Sequence, residues 1–348
     1  MARAYPVWKN PSTYSGTRTM GLHCRLAPTA VQRSGSAHRR YLLPAILAVG
    51  LLAGLSHGIA APDTPPPGQD SWRGWKGVLY RVVDDKVADG TAQPAVSFVF
   101  GTIHFGSPEE LALDVDVVRE ALRNMHLLIN ETDSQASWTA ALEQHRTLEG
   151  TRGLPGLIGP AAFKELQRLL PQVPAPWLHR LKPWAALALL EARGETAGEQ
   201  TLDTRIERWA TQAGMPVEHL ETLAEQLSAL DCVPAAEHAQ VLQQRLRTPW
   251  LFAEQSARVL EYYRTRDIAA WLDEIDAMVG LDTSGRAVEE RARRCLIEDR
   301  NARWLPHLEP LLRAGGAFVS VGAIHLTGAD GLLEQLRRRG FLIVAEPL

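Results

Sequence analysis

The sequence predicts an α/β fold in which two similar strand–Gly-x-x-His–helix–strand units share a mixed sheet and flank a large helical insertion. Three observations predict it. The stretch Phe98–Glu131 (FVFGTIHFG … ALRNMHLLINE) and the stretch Phe318–Glu346 (FVSVGAIHLTGADGLLEQLRRRGFLIVAE) run through the same order of elements. Each opens on a short apolar run rich in β-branched and aromatic residues, the mark of a buried strand. Between them, from about 138 to 312, strand-like alternation is almost missing and amphipathic helical spacing dominates. Strand–helix–strand order is common in proteins, so chance likeness of the two ends is the competing explanation to duplication.

Taken in order, Val78–Val83 and Ser97–Thr102 read as two strands separated by polar and Gly-containing residues (Asp84, Asp85, Gly90), which predicts a hairpin. Residues Glu109 to Asn124 carry apolar side chains at helical spacing (Leu111, Val115, Val118, Leu122), and Leu127–Ile129 follows as a strand. In the middle, Ala161–Leu170, Leu187–Ala192, Leu202–Ala213 and Ala236–Leu246 read as helices, the third stopped by Gly214 and Pro216. After Gly315 and Gly316 a buried strand returns at Ala317–Val321. A helix over Asp330–Arg339 then ends at Gly340, and Phe341–Ala345 is the last strand.

With 348 residues, 45% hydrophobic and 22% charged, the chain can bury a sizeable core. The net charge of −3 hides an asymmetry. Residues 1–62 hold seven Lys/Arg and no Asp or Glu; the remainder carries 30 basic against 40 acidic residues, a net of −10. A phosphate backbone would repel that body, which argues against nucleic acid as a partner. The basic start ends in Arg39 and Arg40, an apolar run spans Tyr41–Leu55, and small residues (Gly58, Ala60, Ala61) precede a Pro-rich stretch. Residues 1–61 therefore read as a secretory signal, and residues 62–75 as a linker before a domain at 76–348. Counted through Ala61, the apolar run reaches about 20 residues, the length of a membrane span, so an uncleaved anchor is the alternative. An Arg-rich organelle transit peptide is a third, and the apolar run argues against it. Translation from Met20 would give a leader of more ordinary length. The expected location is outside the cytoplasm, most simply the periplasm, with membrane contact only if the leader is retained.

Of three cysteines, cleavage would remove Cys24 and leave Cys232 and Cys295. In an oxidising compartment this even pair reads either as a disulfide or as two separate buried thiols. No Cys-x-x-Cys spacing is present, which removes a thiolate zinc site.

His104 and His325 each stand three residues after a glycine, just beyond an expected buried strand. In open α/β sheets ligands bind outside the carboxyl ends of the strands, so both imidazoles would face one crevice, with Gly101 and Gly322 letting the backbone turn closely there. Gly-x-x-His alone is weak, and Gly54–His57 in the leader matches it by accident; the matched strand context carries the signal. Glu131 ends the strand after the first unit. Two imidazoles and a carboxylate suit zinc, manganese, cobalt or iron with positions left open for water. The plainer reading of each is a hydrogen-bonding histidine and a solvated glutamate. Glu346, two residues from the terminus, reads as exposed. Arg300 and Asn301 lie in a charged helical run, where a guanidinium would either be solvated or hold an anion near the site. The chain has no Gly-x-Ser-x-Gly, phosphate-loop or His-Glu-x-x-His pattern. Its ten tryptophans are scattered and read as packing or surface anchors.

These residues resemble the TraB/PrgY/GumN family. SFVFGTIHFGSPEE is similar to its opening signature, Leu128–Glu131 to its acidic strand end, and Val321–Phe341 to its closing signature; Leu181–Leu190, Thr201–Leu227 and Glu298–Trp304 also look like family stretches. The likeness runs from about Val78 to the C-terminus. Asp299 stands where the family often has Glu, and Thr132 where an apolar residue is commoner. The resemblance implies kinship with Tiki proteases, which are manganese- or cobalt-dependent, and more distantly with erythromycin-esterase-like and haem-binding ChaN-like proteins. It implies His104, Glu131 and His325 as metal ligands and Glu131 and Arg300 as catalytic groups. GumN-type members sit among polysaccharide-export genes without an assigned activity. Three functions follow as expectations: a metal-dependent hydrolase, in particular a peptidase, acting outside the cytoplasm on an unnamed peptide or small molecule; a non-catalytic ligand- or haem-binding protein; or an accessory protein of envelope or polysaccharide export.

The leader predicts processing near Ala60 or Ala61, which the intact mass of exported protein would reveal; a mature N-terminus upstream of Tyr41 would favour the anchor.

Overall fold

The computed structural model describes residues 71–84, 95–133, 136–192 and 201–348. The expected leader and most of the expected linker lie outside them. Among the described residues no helix is long and apolar enough to cross a membrane. The described residues begin with a 3-10 turn (Ser71–Gly74), β1 (Leu79–Asp84), β2 (Val96–Thr102), α1 (Val115–Arg123) and β3 (Leu127–Asn130). Helices α2 (Ala140–Arg146), α3 (Gly153–Ile158), α4 (Pro160–Leu169), α5 (Ala175–Arg180), α6 (Pro183–Glu191) and α7 (Leu202–Gln212) lead to the short β4 (Val217–His219). Next come α8 (Leu223–Leu230), α9 (Ala235–Leu246), α10 (Trp250–Arg264), α11 (Ile268–Ala277), α12 (Thr283–Leu296) and α13 (Glu298–Ala314). The chain closes with β5 (Ala317–Gly322), a 3-10 turn (Ala323–His325), α14 (Leu332–Arg338) and β6 (Phe341–Ala345).

The fold is α/β with a mixed six-stranded sheet, as the sequence predicts, in the order β4-β3-β5-β2-β1-β6. The hairpin is present: β1 pairs antiparallel with β2, Leu79 opposite Phe100. Around the centre, β5 runs parallel to β2 on one side and to β3 on the other. All six residues of β5 are buried, which is why that segment reads as an unbroken apolar run rather than an alternating one. Its side chains divide between two cores. Phe318 joins Phe100, Leu128, α1 and the inserted helices; Val319 and Val321 join Trp304, Leu305 and Leu308 of α13 and Leu332, Leu333 and Leu336 of α14. The sheet is therefore covered by helices on both faces.

The two similar units are not side-by-side copies. From β2 the chain steps through α1 to β3, two places toward one edge; from β5 it steps through α14 to β6, three places toward the other. Right-handed crossovers in opposite directions put their helices on opposite faces, and α1 and α14 do belong to different cores. The adjacent strands β2 and β5 are thus where the connections reverse, and in α/β sheets ligands bind beyond the carboxyl ends of such strands.

Local details differ from expectation for identifiable reasons. The helix expected from Glu109 begins at Val115, capped by Asp114, whose side chain accepts from the N–H groups of Asp116 and Val117; Ala112 at φ +46° breaks the run before it. Trp72, inside the expected linker, is buried in the core. The stretch read as a succession of helices contains β4, whose three residues are too few to show alternation.

Cys232 and Cys295 are joined in a disulfide, with a Cα separation of 6.6 Å, so the first of the two cysteine readings holds. The bond ties the chain just after α8 to the last turn of α12 across 63 residues. By chain entropy a loop of this length is worth about 4 kcal/mol. A Cys232→Ser/Cys295→Ser variant should lose stability of that order in urea unfolding, and the oxidised wild type should fall to the same midpoint under reductant.

Candidate functional site

Three neighbouring parallel strands, β3, β5 and β2, end side by side, and each hands a polar residue to the same place. Glu131 follows the last residue of β3, His325 closes the 3-10 turn after β5, and His104 lies two residues past β2. Beside β3, the backbone beyond β4 continues the pairing: the Glu221 N–H donates to the Glu131 carbonyl at 3.0 Å, which sets Glu221 next to Glu131. From above, the first turns of α13 bring Arg300 and Asn301, both buried.

Gly101 makes the close packing possible. A Cβ there would stand 2.8 Å from the Ala323 Cα and 2.9 Å from its Cβ, so only glycine lets the turn carrying His325 lie against β2. The reason is the approach of a neighbour rather than the tight turn expected from sequence. Gly322 has φ −55°, open to any residue. The buried hydroxyl of Tyr263, on α10, donates to the Gly101 carbonyl at 2.8 Å and pins this strand end from the inserted helices.

The centre of the cluster is the Arg300 guanidinium, 0% exposed. Its Nε donates to Glu221 Oε1 at 2.9 Å; Nη2 donates to Glu131 Oε2 at 2.5 Å and to Glu221 Oε1 at 2.6 Å. Its Nη1 donates to the Leu296 carbonyl at 3.3 Å and faces His325 Nε2 at 3.1 Å. Arginine has five N–H donors, and all five are engaged. The guanidinium lies over the Trp304 ring at 4.5 Å, the His325 ring packs against that indole at 4.6 Å with the planes tilted by 44°, and Trp304 Nε1 donates to Glu221 Oε2 at 3.3 Å.

The hydrogen-bond network fixes the tautomer of His325. The Asn301 Nδ2 donates to two carbonyls, those of His325 and Asp330, so its Oδ1 is the acceptor facing His325 Nδ1 at 2.8 Å. The proton is therefore on Nδ1, and Nε2 offers its lone pair to Arg300. Burial and then the Arg300 charge push the His325 pKa down to about 3, so the ring is neutral. Glu131 accepts from the Gly322 N–H at 2.7 Å, from Gln226 Nε2 at 3.0 Å and from Arg300. Burial pushes its carboxyl up, but Arg300, His325 and His104 outweigh that and hold it at about 2. Glu221 goes the other way: burial raises it, with the Glu131 charge adding to the effect.

His104 is the open edge of the site. Its Nδ1 lies 2.8 Å from Asp203 Oδ2, their side chains 12% and 20% exposed, and Asp203 Oδ1 accepts from the Thr102 hydroxyl at 2.7 Å. Burial lowers the His104 pKa and Asp203 overcomes it, so the net shift is upward. The Nε2 of His104 is buried without a hydrogen-bond partner. It is the free nitrogen of an imidazole whose other nitrogen faces a carboxylate.

All four residues singled out from sequence, His104, Glu131, Arg300 and His325, thus meet at one end of the sheet. Glu346 does not: it pairs with Arg81 at 2.7 Å among half-exposed side chains. Sequence reasoning missed Asp203, Glu221 and Gln226, although all three lie inside the family-like stretch Thr201–Leu227. An acidic residue in the first turn of α7, and one beside the capping box of Thr222 and Glu225, have ordinary local explanations.

The expected metal ligands fit a metal ion only in part. Each imidazole has one nitrogen facing an oxygen partner, which is how metal-ligating histidines are oriented. Yet the one lone pair of His325 is given to Arg300, and Glu131 Oε2 is shared between Arg300 and Gln226. Only His104 keeps a free coordinating nitrogen. Among the described residues no group of three His, Cys, Asp or Glu side chains is arranged to hold a metal. With Arg300 where it stands, the set does not fit one.

Removing one partner of a buried ion pair leaves the other uncompensated, at a cost of about 3–5 kcal/mol. Arg300→Ala, which strands two buried carboxylates, should lose stability of that order in chemical denaturation, whereas exposed Arg294→Ala should change it by less than about 0.5 kcal/mol.

No curated protein matches this sequence significantly. The family model described as TraB/PrgY/gumN matches residues 86–345, which takes in both strand-end histidines, Asp203, Glu221 and the start of α13. This chain is a member of the TraB/PrgY/gumN family.

Proposed function

We propose that the protein is a hydrolase of amide or ester bonds, with peptides as the first substrate class, acting outside the cytoplasm. The observation that carries the reading is His104: a buried, partnerless Nε2 at the strand ends, with Nδ1 2.8 Å from Asp203. In this reading Nε2 takes a proton from water as the oxygen attacks the substrate carbonyl carbon. Asp203 stabilises the imidazolium that forms, and His104 then passes the proton to the departing amine or alcohol. The other three candidates do not exchange protons near neutral pH. Glu131 is held ionised, His325 is held neutral, and the five N–H groups of Arg300 are in use. Their part is to fix the strand ends and the field around His104. Arg300 is thus a positioning residue in this scheme, and Glu131 is an anion that anchors it. Metal dependence, which the family resemblance implies, is not included, because Arg300 takes the lone pair that His325 would give a metal.

Secretion is supported by the basic, acid-free leader and by the Cys232–Cys295 disulfide, a bond that persists in oxidising compartments. A second reading, a binding or accessory protein without turnover, is favoured by the saturation of the Arg300 network, which resembles a structural core more than a working one.

Purified protein lacking the leader, incubated with peptide and ester libraries and followed by mass spectrometry, distinguishes the two. Hydrolysis should appear and fall by about 10²–10⁴-fold in His104→Ala. Asp203→Asn should lower kcat, and both variants should keep the wild-type melting temperature. Absence of turnover across the libraries, or a His104→Ala variant as active as wild type, would favour the binding protein.

A further inference from the structure

We infer that the resident cation of this site is Arg300 itself, standing where a divalent ion would be held by His104, Glu131 and His325, and that the wild-type chain does not bind a metal on those three residues. The argument is one of lone pairs, space and charge. A neutral imidazole has a single lone pair, and that of His325, on Nε2, faces Arg300 Nη1 at 3.1 Å. Rotating His325 would not free it, because Nδ1 is held by Asn301 Oδ1, whose amide is locked by two carbonyls. Glu131 Oε2 is taken by Arg300 and Gln226, and Oε1 by the Gly322 N–H.

The guanidinium cannot step aside at low cost. It is 0% exposed, lies over Trp304 and is bonded through every N–H, so its withdrawal would strand Glu221 as well as Glu131. A divalent ion beside an unmoved Arg300 would meet like charge in a site with little water to screen it. Arg300 already does what an ion would do here. It draws two carboxylates and an imidazole from three strand ends to one point and keeps Glu131 ionised.

The converse follows. With the guanidinium removed, the two carboxylates of Glu131 and Glu221 and the imidazole of His325 are left around the vacated space, a donor set suited to zinc, cobalt or manganese. One substitution should therefore turn an arginine-centred site into a metal-centred one. This holds whether or not the site hydrolyses anything, since metal uptake is read without a substrate.

The test is Co²⁺ titration followed by visible absorption, with elemental analysis after dialysis against Co²⁺, Mn²⁺ or Zn²⁺. Wild type should take up no ion whose binding depends on His325. Arg300→Met should take up one equivalent, and Arg300→Met/His325→Ala should lose it. A wild-type protein that binds one equivalent, abolished in His325→Ala, would overturn the inference. So would an Arg300→Met variant with native circular dichroism that takes up none. Should Arg300→Met fail to fold, Arg300→Gln serves in its place, and the comparison of wild type with His325→Ala decides the first claim without either.

Discussion

A charge taken out of water has to be paired, and around Arg300 this requirement organises one whole end of the sheet. The guanidinium sits at 0% exposure, so each of its N–H groups must find an acceptor inside the protein. The acceptors come from sequence-distant places: Glu131 after β3, Glu221 after β4, the Leu296 carbonyl at the end of α12 and His325 after β5. Satisfying one arginine therefore fixes the mutual positions of three strand ends and the start of α13. A change in any of them leaves a buried donor or acceptor without a partner.

The topology explains why these polar residues gather at this end of the sheet. Because β2 and β5 are parallel neighbours whose connections leave in opposite directions, no crossover covers their carboxyl ends. Backbone groups at such an end are not all paired within the sheet, and side chains supply what is missing: Glu131 accepts the Gly322 N–H, and Tyr263 donates to the Gly101 carbonyl. The inserted helices also reach these strand ends, contributing Asp203 from α7 and Tyr263 from α10. The disulfide belongs to the same scheme. Cys232 follows the helix that begins after Glu221, and Cys295 precedes the helix that carries Arg300, so the covalent bond and the ion pair join the same two segments.

Charge and neutrality are set by place. Two imidazoles that look equivalent in sequence, each three residues after a glycine, end in opposite electrostatic situations. His325 has an amide oxygen on one nitrogen and a guanidinium on the other, and it is kept neutral. His104 has a carboxylate on one nitrogen and nothing on the other, and its affinity for a proton is raised. The two carboxylates on Arg300 divide in the same way: burial raises Glu221 despite the cation, while Arg300 with the two imidazoles and the Gly322 N–H outweighs burial at Glu131.

Sequence alone determined the α/β class, both terminal units and four of the helices between them, and it pointed to His104, Glu131 and His325 as neighbours at the strand ends. These are readable because buried parallel strands are continuous apolar runs, amphipathic helices have a 3.6-residue period, and parallel neighbours bring equivalent ends together. What sequence could not give is what each residue does there. Asp203 and Glu221 look like ordinary acids beside helix starts, and only the packing of α7 and β4 against the sheet carries them to the site. Arg300 lies in a run of charges that reads as solvent-facing, yet it is wholly buried, because α13 turns its first residues toward the strand ends. The tertiary structure alone decided that His325 gives its lone pair to an arginine and His104 gives its own to nothing. Hydrogen bonding depends on distances of a few tenths of an ångström between atoms of this site up to 191 residues apart in the chain, and no local pattern in a sequence encodes those.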